Sequence, residues 1–261
     1  MSEKSSLKFS AGNHQYWLDK RRIKGVTTLI KNGLPNHALK YWSARTVAEY
    51  VADHPQDVDG LRGMGRAQMV AALKESPWQK RDDAAVKGTE VHALAQQLVN
   101  GAEVDVPEHL AGYVQACVDF LDDWKIQPLV VERPVASRAW WYAGTPDLIG
   151  ALPNGRIPLV DWKTGNNVYG STALQLMAYA RAEFYVDDDW TEQPLPAIDD
   201  HLVVHLTSAG YTVHRARSSE DVWQMFLHVA TVGRRAKSVD EWLTEITVDE
   251  PAAEVTPEVA A

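Results

Sequence analysis

Two strand-like runs joined by a tight turn, within residues 147–163, constrain the fold more than any other part of this sequence. The runs are Asp147–Leu152 and Ile157–Lys163, and the Pro, Asn and Gly between them are typical of a chain reversal. Because side chains alternate between the two faces of a strand, Asp161 and Lys163 share one face. The turn folds the first strand back, so we expect the Asp147 carboxylate to lie close to that of Asp161.

Helical and strand-like patterns alternate along the rest of the chain, without an internal repeat. The first is a hairpin at Gln15–Ile30, with its turn at Asp19–Arg21. Helices are predicted at Ala38–Ala52, Arg66–Glu75, Gln79–Val99, Glu108–Trp124, Ser171–Val186 and Ser219–Lys237. Further strands are predicted at Leu129–Ala136, Ala139–Ala143, His201–Thr207 and Gly210–Ala216. This order predicts an α/β fold, a small mixed β-sheet flanked by helices, with an N-terminal hairpin and helical region.

The composition is that of a globular protein. The chain has 261 residues, of which 45% are hydrophobic, enough to bury a substantial core. No stretch approaches the roughly 20 apolar residues that span a bilayer, and the first residues lack the apolar run of a signal peptide, so we expect a cytoplasmic protein without a membrane partner. Cys117 is the single cysteine, which excludes an internal disulfide and a four-thiolate iron–sulfur cluster. We expect it to be a small buried residue.

The net charge of −9 is unevenly distributed along the chain. Residues 238–261 carry seven acidic residues and no Lys or Arg, so the rest of the chain carries only −2. Residues 14–45 carry a local charge of +6 interleaved with aromatic residues. Cations follow phosphates and aromatic rings stack on bases, which predicts nucleic-acid contact here through Arg21, Arg22, Lys24, Tyr16 and Trp17. The alternative is an ordinary solvated face with two core tryptophans.

Asp147, Asp161 and Lys163 form a candidate catalytic site. Two ionised carboxylates that are held close together repel each other unless a cation lies between them. Oxygen ligands suit Mg²⁺ or Mn²⁺, and a metal-activated water beside a lysine suits phosphodiester hydrolysis. In the alternative interpretation, Asp147 caps a turn and Asp161 and Lys163 form an ordinary surface ion pair. The neighbouring motifs must decide between the two.

Further motifs extend this site in a recognisable order. Gly88-Thr-Glu-Val-His92 lies on a predicted helix, Gly144-x-x-Asp147 is separated by thirteen residues from Asp161-x-Lys163, and Gln175-x-x-x-Tyr179 follows. Together, over residues 87–179, they resemble the PD-(D/E)xK nuclease superfamily, specifically its RecB-like exonuclease branch. The proline at position 146 discriminates little, because many members of that branch lack it.

The resemblance implies a role for each of these residues. The implied metal ligands are His92, Asp147, Asp161 and the backbone carbonyl of Trp162, and the implied catalytic lysine is Lys163.

Three further residues have implied or open roles. Gln175 and Tyr179, which share a helical face, are implied to steady the lysine and the nucleic-acid backbone. Glu132 lies on the predicted strand before the hairpin, where related nucleases often carry a glutamate. We expect it either to support the metal ligands or to be a surface strand residue.

Two cofactors are not expected. The CRISPR-associated members of the branch carry four cysteines for an iron–sulfur cluster, which this chain cannot supply. The sequence also has no G-x-x-x-x-G-K-[ST] phosphate loop, so we expect no ATP-driven motor. Any such activity would come from a partner, such as a separate helicase, and a single-strand annealing or binding protein is a further candidate partner.

The pattern predicts one nuclease domain at residues 1–238. Its N-terminal part, residues 1–128, is basic, aromatic and helical, and residues 87–237 form the catalytic core. Residues 239–261 are predicted to be an acidic, disordered tail.

The resemblance implies a metal-dependent DNA exonuclease that acts in recombination, repair or replication, in a bacterial or phage-infected cell. Two alternatives remain open. One is a non-catalytic DNA-binding recombination accessory protein that keeps the nuclease fold. The other is a structure-specific endonuclease.

Overall fold

The computed structural model describes residues 4–35 and 37–244, with the backbone alone at residues 11, 37–39 and 79–84. The α-helices are α1 (Val26–Gly33), α2 (His37–Asp53), α3 (Pro55–Gly63), α4 (Arg66–Val99), α5 (Ala111–Trp124), α6 (Ser171–Ala180) and α7 (Glu220–Arg235). Short 3-10 turns occupy Ala11–Asn13, Glu108–Leu110 and Val239–Trp242. The last of these lies at the start of the predicted tail, and residues 245–261 lie outside the described part of the chain.

The strands form two mixed sheets rather than the single sheet that was predicted. They are β1 (Lys8–Ser10), β2 (Gln15–Leu18), β3 (Arg21–Gly25), β4 (Gln127–Val131), β5 (Val135–Ser137), β6 (Tyr142–Gly144), β7 (Leu148–Ala151), β8 (Pro158–Lys163), β9 (Phe184–Val186), β10 (Glu192–Gln193), β11 (Asp200–Thr207) and β12 (Gly210–Arg215). One sheet has the order β1-β2-β3-β6-β5-β9-β10, and the other β12-β11-β8-β7-β4. Each has one parallel pairing, β3 with β6 and β11 with β8. The α/β class with mixed sheets is therefore confirmed.

Helices cover both faces of the five-stranded sheet. Ile149, Leu159 and Val203 point to one face and pack in a core with residues of α1, α6 and α7. The intervening side chains point to the other face and pack in a core with α4 and α5. Cys117 is fully buried in this second core, as expected for a small apolar side chain. A third core lies on the seven-stranded sheet, where side chains of the N-terminal hairpin pack with those of β5, β6 and β9.

The hairpin that carries the acidic residues is confirmed. β7 pairs antiparallel with β8, with Leu148 opposite Val160 and Ile149 opposite Leu159. The turn closes through hydrogen bonds from Leu152 N–H to the Arg156 carbonyl and from Gly155 N–H to the Leu152 carbonyl. Gly155 has φ +84°, a left-handed conformation that glycine adopts without steric cost. The turn therefore fixes the register on which the candidate site depends.

Two elements change type at places where the local pattern is ambiguous. The second predicted strand, which runs to Ile30, stops at Gly25, and α1 begins at Val26. Val26, Leu29 and Ile30 are all buried, and their spacing is that of one helical face despite the β-branched residues. The predicted helix Ser171–Val186 ends at Ala180, and its last residues, Phe184–Val186, form β9. Aromatic and β-branched residues favour that strand.

Three other boundaries differ from the predictions. The predicted strand Leu129–Ala136 is split into β4 and β5, because Glu132 adopts φ +50° and leaves the extended conformation. The predicted strand Ala139–Ala143 begins only at Tyr142, after a turn. The two predicted helices within residues 66–99 form the single helix α4, in which Pro77 removes one backbone N–H without ending the helix.

In the described part of the chain, no helix combines the length and the apolar character needed to cross a membrane.

His201 is a buried histidine on β11 whose ring nitrogens have no hydrogen-bond partner among the described residues. Burial lowers its pKa, because desolvation disfavours the charged ring. We expect His201→Leu to raise the free energy of unfolding by about 1–3 kcal/mol, since an unsatisfied polar group is replaced by an apolar one. Urea unfolding of the variant and the wild type measures this difference.

The same histidine predicts a pH dependence. In the unfolded chain the ring has a pKa near 6.5, whereas in the folded chain its pKa is lower, so protonation requires a lower pH. The contribution of this ring to stability is therefore fully present above pH 6.5 and is lost as the pH falls below it, and His201→Leu should remove this loss. His228→Leu, at an exposed position of α7, is the control. Equal acid sensitivity of both variants would contradict the assignment to His201.

Candidate metal centre

The strand hairpin brings the two predicted aspartates together. Asp147 immediately precedes β7, and continuation of the β7–β8 register places it opposite Asp161. Both are buried, with 8% and 2% of their surface exposed. Asp147 Oδ2 accepts a hydrogen bond from the Trp162 backbone N–H at 2.7 Å. This bond fixes the first carboxylate against the strand that carries the second.

Asp147 belongs to a cluster with His92 and Glu132. One ligand atom from each of the three residues lies within 4.8 Å of the other two. His92 Nδ1 is 3.4 Å from Asp147 Oδ1, and the Glu132 backbone N–H donates to the Asp147 carbonyl at 3.1 Å. One imidazole nitrogen and two carboxylate oxygens form a donor set that suits a divalent ion such as Mn²⁺ or Mg²⁺.

His92 reaches this cluster because α4 passes close to the end of β8. A Cβ atom at Gly88 would lie 3.3 Å from Thr164 Oγ1, closer than an ordinary van der Waals contact. Gly88 precedes His92 by one helical turn, so a larger residue there would hold the helix away. The glycine-to-histidine motif thus has a steric explanation in this fold.

Lys163 lies beside the cluster and is held by Asp161. Lys163 Nζ is 2.5 Å from Asp161 Oδ2, a close ion pair. Asp161 Oδ1 accepts a hydrogen bond from Gln175 Nε2 at 2.6 Å. The lysine side chain is 31% exposed, so a substrate can approach its ammonium group.

Gln175 also joins Tyr179 to this arrangement. Its Nε2 lies 3.4 Å from the Tyr179 hydroxyl, and both residues lie on α6. A Cβ atom at Gly144 would lie 2.3 Å from Tyr179 Cε1, so the absence of a side chain at Gly144 gives the ring its place. The glycine of the Gly144-x-x-Asp147 motif therefore positions an aromatic residue of α6.

The site concentrates negative charge in a buried place. Burial opposes protonation of His92, but Asp147 and Asp161 outweigh it and raise its pKa to about 9. Burial and the nearby Asp147 carboxylate raise the pKa of Glu132 to about 8. Burial raises the pKa of Asp161 to about 6 against the opposing effect of Lys163. For Asp147, His92 and Lys163 overcome burial and lower the pKa. Buried carboxylates that repel one another favour a bound cation, because it offsets their negative charge.

The predicted site residues are brought to one place, with one difference in grouping. The metal-ligand cluster of the described residues contains Glu132 and does not contain Asp161. Asp161 contacts Lys163 and Gln175 instead. Trp162 presents its backbone N–H to Asp147, and its side chain is buried in the core. The left-handed conformation of Glu132 turns the chain out of the strand and toward Asp147.

The residues predicted to contact nucleic acid differ in their exposure to solvent. Tyr16 is buried, stacks on Phe9 and shares a hydrogen bond of 2.9 Å with Thr145 Oγ1, so its ring is not available to stack on a base. Burial raises its pKa to about 12. Trp17 is half-buried. Arg21, Arg22 and Lys24 are exposed, as the prediction requires.

The contact of Tyr16 with Thr145 was not predicted, although it joins the N-terminal hairpin to the loop before Asp147. The alternation of side chains along β2 could have indicated that Tyr16 is buried, because Tyr16 and Leu18 share a buried face. The hydrogen bond itself could not be predicted from sequence spacing, because 129 positions separate Tyr16 from Thr145.

A cavity of about 780 Å³ lies next to the loop that follows Lys163. Its wall includes His205, whose Nε2 is 2.6 Å from the Gly165 carbonyl and which is opposite Lys163 in the β8–β11 register. Arg215 and Arg217 also line it, but they are paired with Asp200 and Asp221. The cavity provides space near the lysine without a net positive charge from its arginines.

No family model and no curated protein sequence matches this chain.

Proposed function

We propose that this protein is a metal-dependent deoxyribonuclease with a PD-(D/E)xK core of the RecB-like type, acting as an exonuclease on DNA ends. The observation that carries the proposal is the cluster of His92, Glu132 and Asp147 with the Asp161–Lys163 pair on the neighbouring strand. Its expected setting is DNA recombination, repair or replication.

The residues divide into two groups with different tasks. His92, Glu132 and Asp147 would hold Mg²⁺ or Mn²⁺. When bound, such an ion lowers the pKa of a coordinated water and offsets phosphate charge. Lys163 places a second positive charge beside the cluster, where it stabilises the charge that develops on the attacked phosphate. Asp161 holds the lysine, and Gln175 holds Asp161.

An assay with two DNA forms tests this proposal. Linear and covalently closed circular DNA are incubated with Mg²⁺ or Mn²⁺, and the products are followed over time. Loss of linear DNA from its ends, with circles intact, is the expected result. Cutting of circles would indicate a structure-specific endonuclease instead. Binding of DNA without cleavage of either form would favour the accessory-protein alternative.

The metal site has a separate test. We expect Glu132→Gln and Asp147→Asn each to weaken Mn²⁺ binding by at least about tenfold, because each removes an anionic oxygen donor from the cluster. Isothermal titration calorimetry with Mn²⁺ measures the dissociation constants.

Asp161→Asn distinguishes the two possible ligand sets. If the cluster seen here holds the ion, this variant should bind Mn²⁺ more tightly than Glu132→Gln does. Glu103→Gln, at an exposed position outside the site, is the matched control. Unchanged Mn²⁺ binding in Glu132→Gln would remove Glu132 from the ligand set.

A further inference from the structure

A group of cations and tryptophans lies around β3 and β6, the paired central strands of the seven-stranded sheet. The Arg21 guanidinium is 5.0 Å from the centre of the Trp141 ring. Arg234, at the end of α7, donates to the backbone carbonyls of both Trp140 and Trp141. Lys24 Nζ donates to the carbonyls of Gly233 and Arg234, at 2.9 and 3.1 Å. The cation–tryptophan surface comprises Arg21, Lys24, Trp140, Trp141 and Arg234.

The cations of this surface lack acidic partners. Eight arginines of the described chain form ion pairs: Arg45, Arg62, Arg133, Arg138, Arg156, Arg181, Arg215 and Arg217. Arg21, Arg234 and their chain neighbours Arg22 and Arg235 are not paired with any described carboxylate. The nearby Asp19 is engaged by Arg138, at 3.5 Å. The surface therefore keeps a net positive charge that is available to an anionic partner.

Trp140 is held in place and remains accessible. Its backbone N–H donates to Ser137 Oγ at 3.0 Å, and its carbonyl accepts from Arg234. The ring packs edge to face on Trp223, with centroids 5.9 Å apart, and 47% of the residue is exposed. A fixed, half-exposed indole beside unpaired cations is the combination that binds unstacked nucleotides, since every base offers a face for stacking.

We propose that the cation–tryptophan surface binds single-stranded DNA, with phosphates on the cations and a base on Trp140. This inference rests on the proposed function and adds where the strand leaves the site. β6 connects Trp141 to the loop that carries Asp147, and six residues of extended chain span at most about 20 Å. That distance corresponds to about six phosphates at the spacing of one B-form strand. A strand with its end at the metal site can therefore reach the surface.

Binding of a fluorescent oligothymidylate in EDTA tests the proposal, because binding is then measured without cleavage. We expect Trp140→Ala to raise the dissociation constant about tenfold through loss of stacking. Arg21→Gln should reduce the slope of log K against log salt by about 0.7, the value for one phosphate contact on a single strand. The matched controls are Trp190→Ala, at another exposed tryptophan, and Arg45→Gln, at an arginine paired with Glu49.

The outcomes separate this proposal from the proposed function. If the wild type binds and cleaves DNA but the surface variants bind as tightly as the controls, only the surface assignment fails. If the wild type binds no DNA, both fail. Tighter binding of duplex than of single strands would contradict stacking on Trp140. Binding of polyglutamate in preference to DNA would assign the surface to an acidic protein partner instead. Thermal unfolding of each variant shows whether the fold is kept.

Discussion

Lys163→Ala is expected to reduce the rate of DNA cleavage by about 10²–10³-fold while leaving DNA affinity largely unchanged, the effect of removing one group that stabilises transition-state charge. The ammonium group lies 2.5 Å from Asp161 and beside the metal-ligand cluster, so its charge is fixed before substrate arrives. Single-turnover cleavage of linear DNA with saturating Mn²⁺ measures the rate. Fluorescence anisotropy in EDTA measures the affinity.

The substitution also removes the cation that faces a buried carboxylate. Asp161 is 2% exposed, and loss of Lys163 removes its ion-pair partner and leaves the hydrogen bond from Gln175. Lys163→Met keeps most of the aliphatic stem and tests the charge with less change in packing. Thermal unfolding separates a loss of catalysis from a loss of fold. Lys74→Ala, at an exposed position of α4, is the control for removal of a lysine. Cleavage at the wild-type rate in the Lys163 variants would exclude the lysine from the mechanism.

The strand hairpin was predictable because residues close together in the sequence determine it. A turn of three residues fixes the register of β7 and β8, and alternation then decides which face Asp161 and Lys163 share. His92 was suggested by the family resemblance, and helical spacing added only that it lies one turn from Gly88 on the same helix. These inferences need neither the order of the sheets nor the path of the chain between distant elements.

The role of Glu132 was left open by the sequence, because it depends on a backbone conformation that the sequence does not predict. Its neighbours in β4 favour a strand, and no sequence pattern predicts that Glu132 adopts φ +50°. That single conformation ends β4, brings the Glu132 N–H to the Asp147 carbonyl and places the side chain in the metal-ligand cluster. The division into two sheets was hidden for a related reason. β5, β6 and β9 have three residues each, too few for alternation to identify a strand and its partner.

For the predicted nucleic-acid contacts, the prediction and the structure differ most in the aromatic residues. Sequence proximity grouped Tyr16 and Trp17 with the basic residues of the hairpin. In three dimensions Tyr16 is turned into the core, while Trp141, distant in sequence, lies against Arg21. A pairing between β3 and β6 causes this exchange, since it brings the turn before Tyr142 next to the hairpin. Only the sheet topology contains that information.

Gly33→Ala is expected to lower the free energy of unfolding by about 3 kcal/mol or more, at the upper end of overpacking costs. α1 and α7 cross with their backbones in contact. A Cβ atom at Gly33 would lie 1.9 Å from the Val229 carbonyl oxygen, and one at Gly233 would lie 2.3 Å from the Leu29 carbonyl oxygen. The obstacles are backbone atoms of packed helices, so relief requires that the helices separate.

Gly60→Ala should have the opposite sign and is therefore the matched control. Gly60 lies within α3, and a Cβ atom there meets nothing within 4 Å, so alanine should stabilise by about 0.5–1 kcal/mol through its helix propensity. Urea unfolding measures both values. An unchanged or raised free energy of unfolding in Gly33→Ala would mean that the helix crossing is not close-packed. Because α1 and α7 share their core with α6, Gly33→Ala should also slow DNA cleavage by displacing Gln175, whereas Gly60→Ala should not.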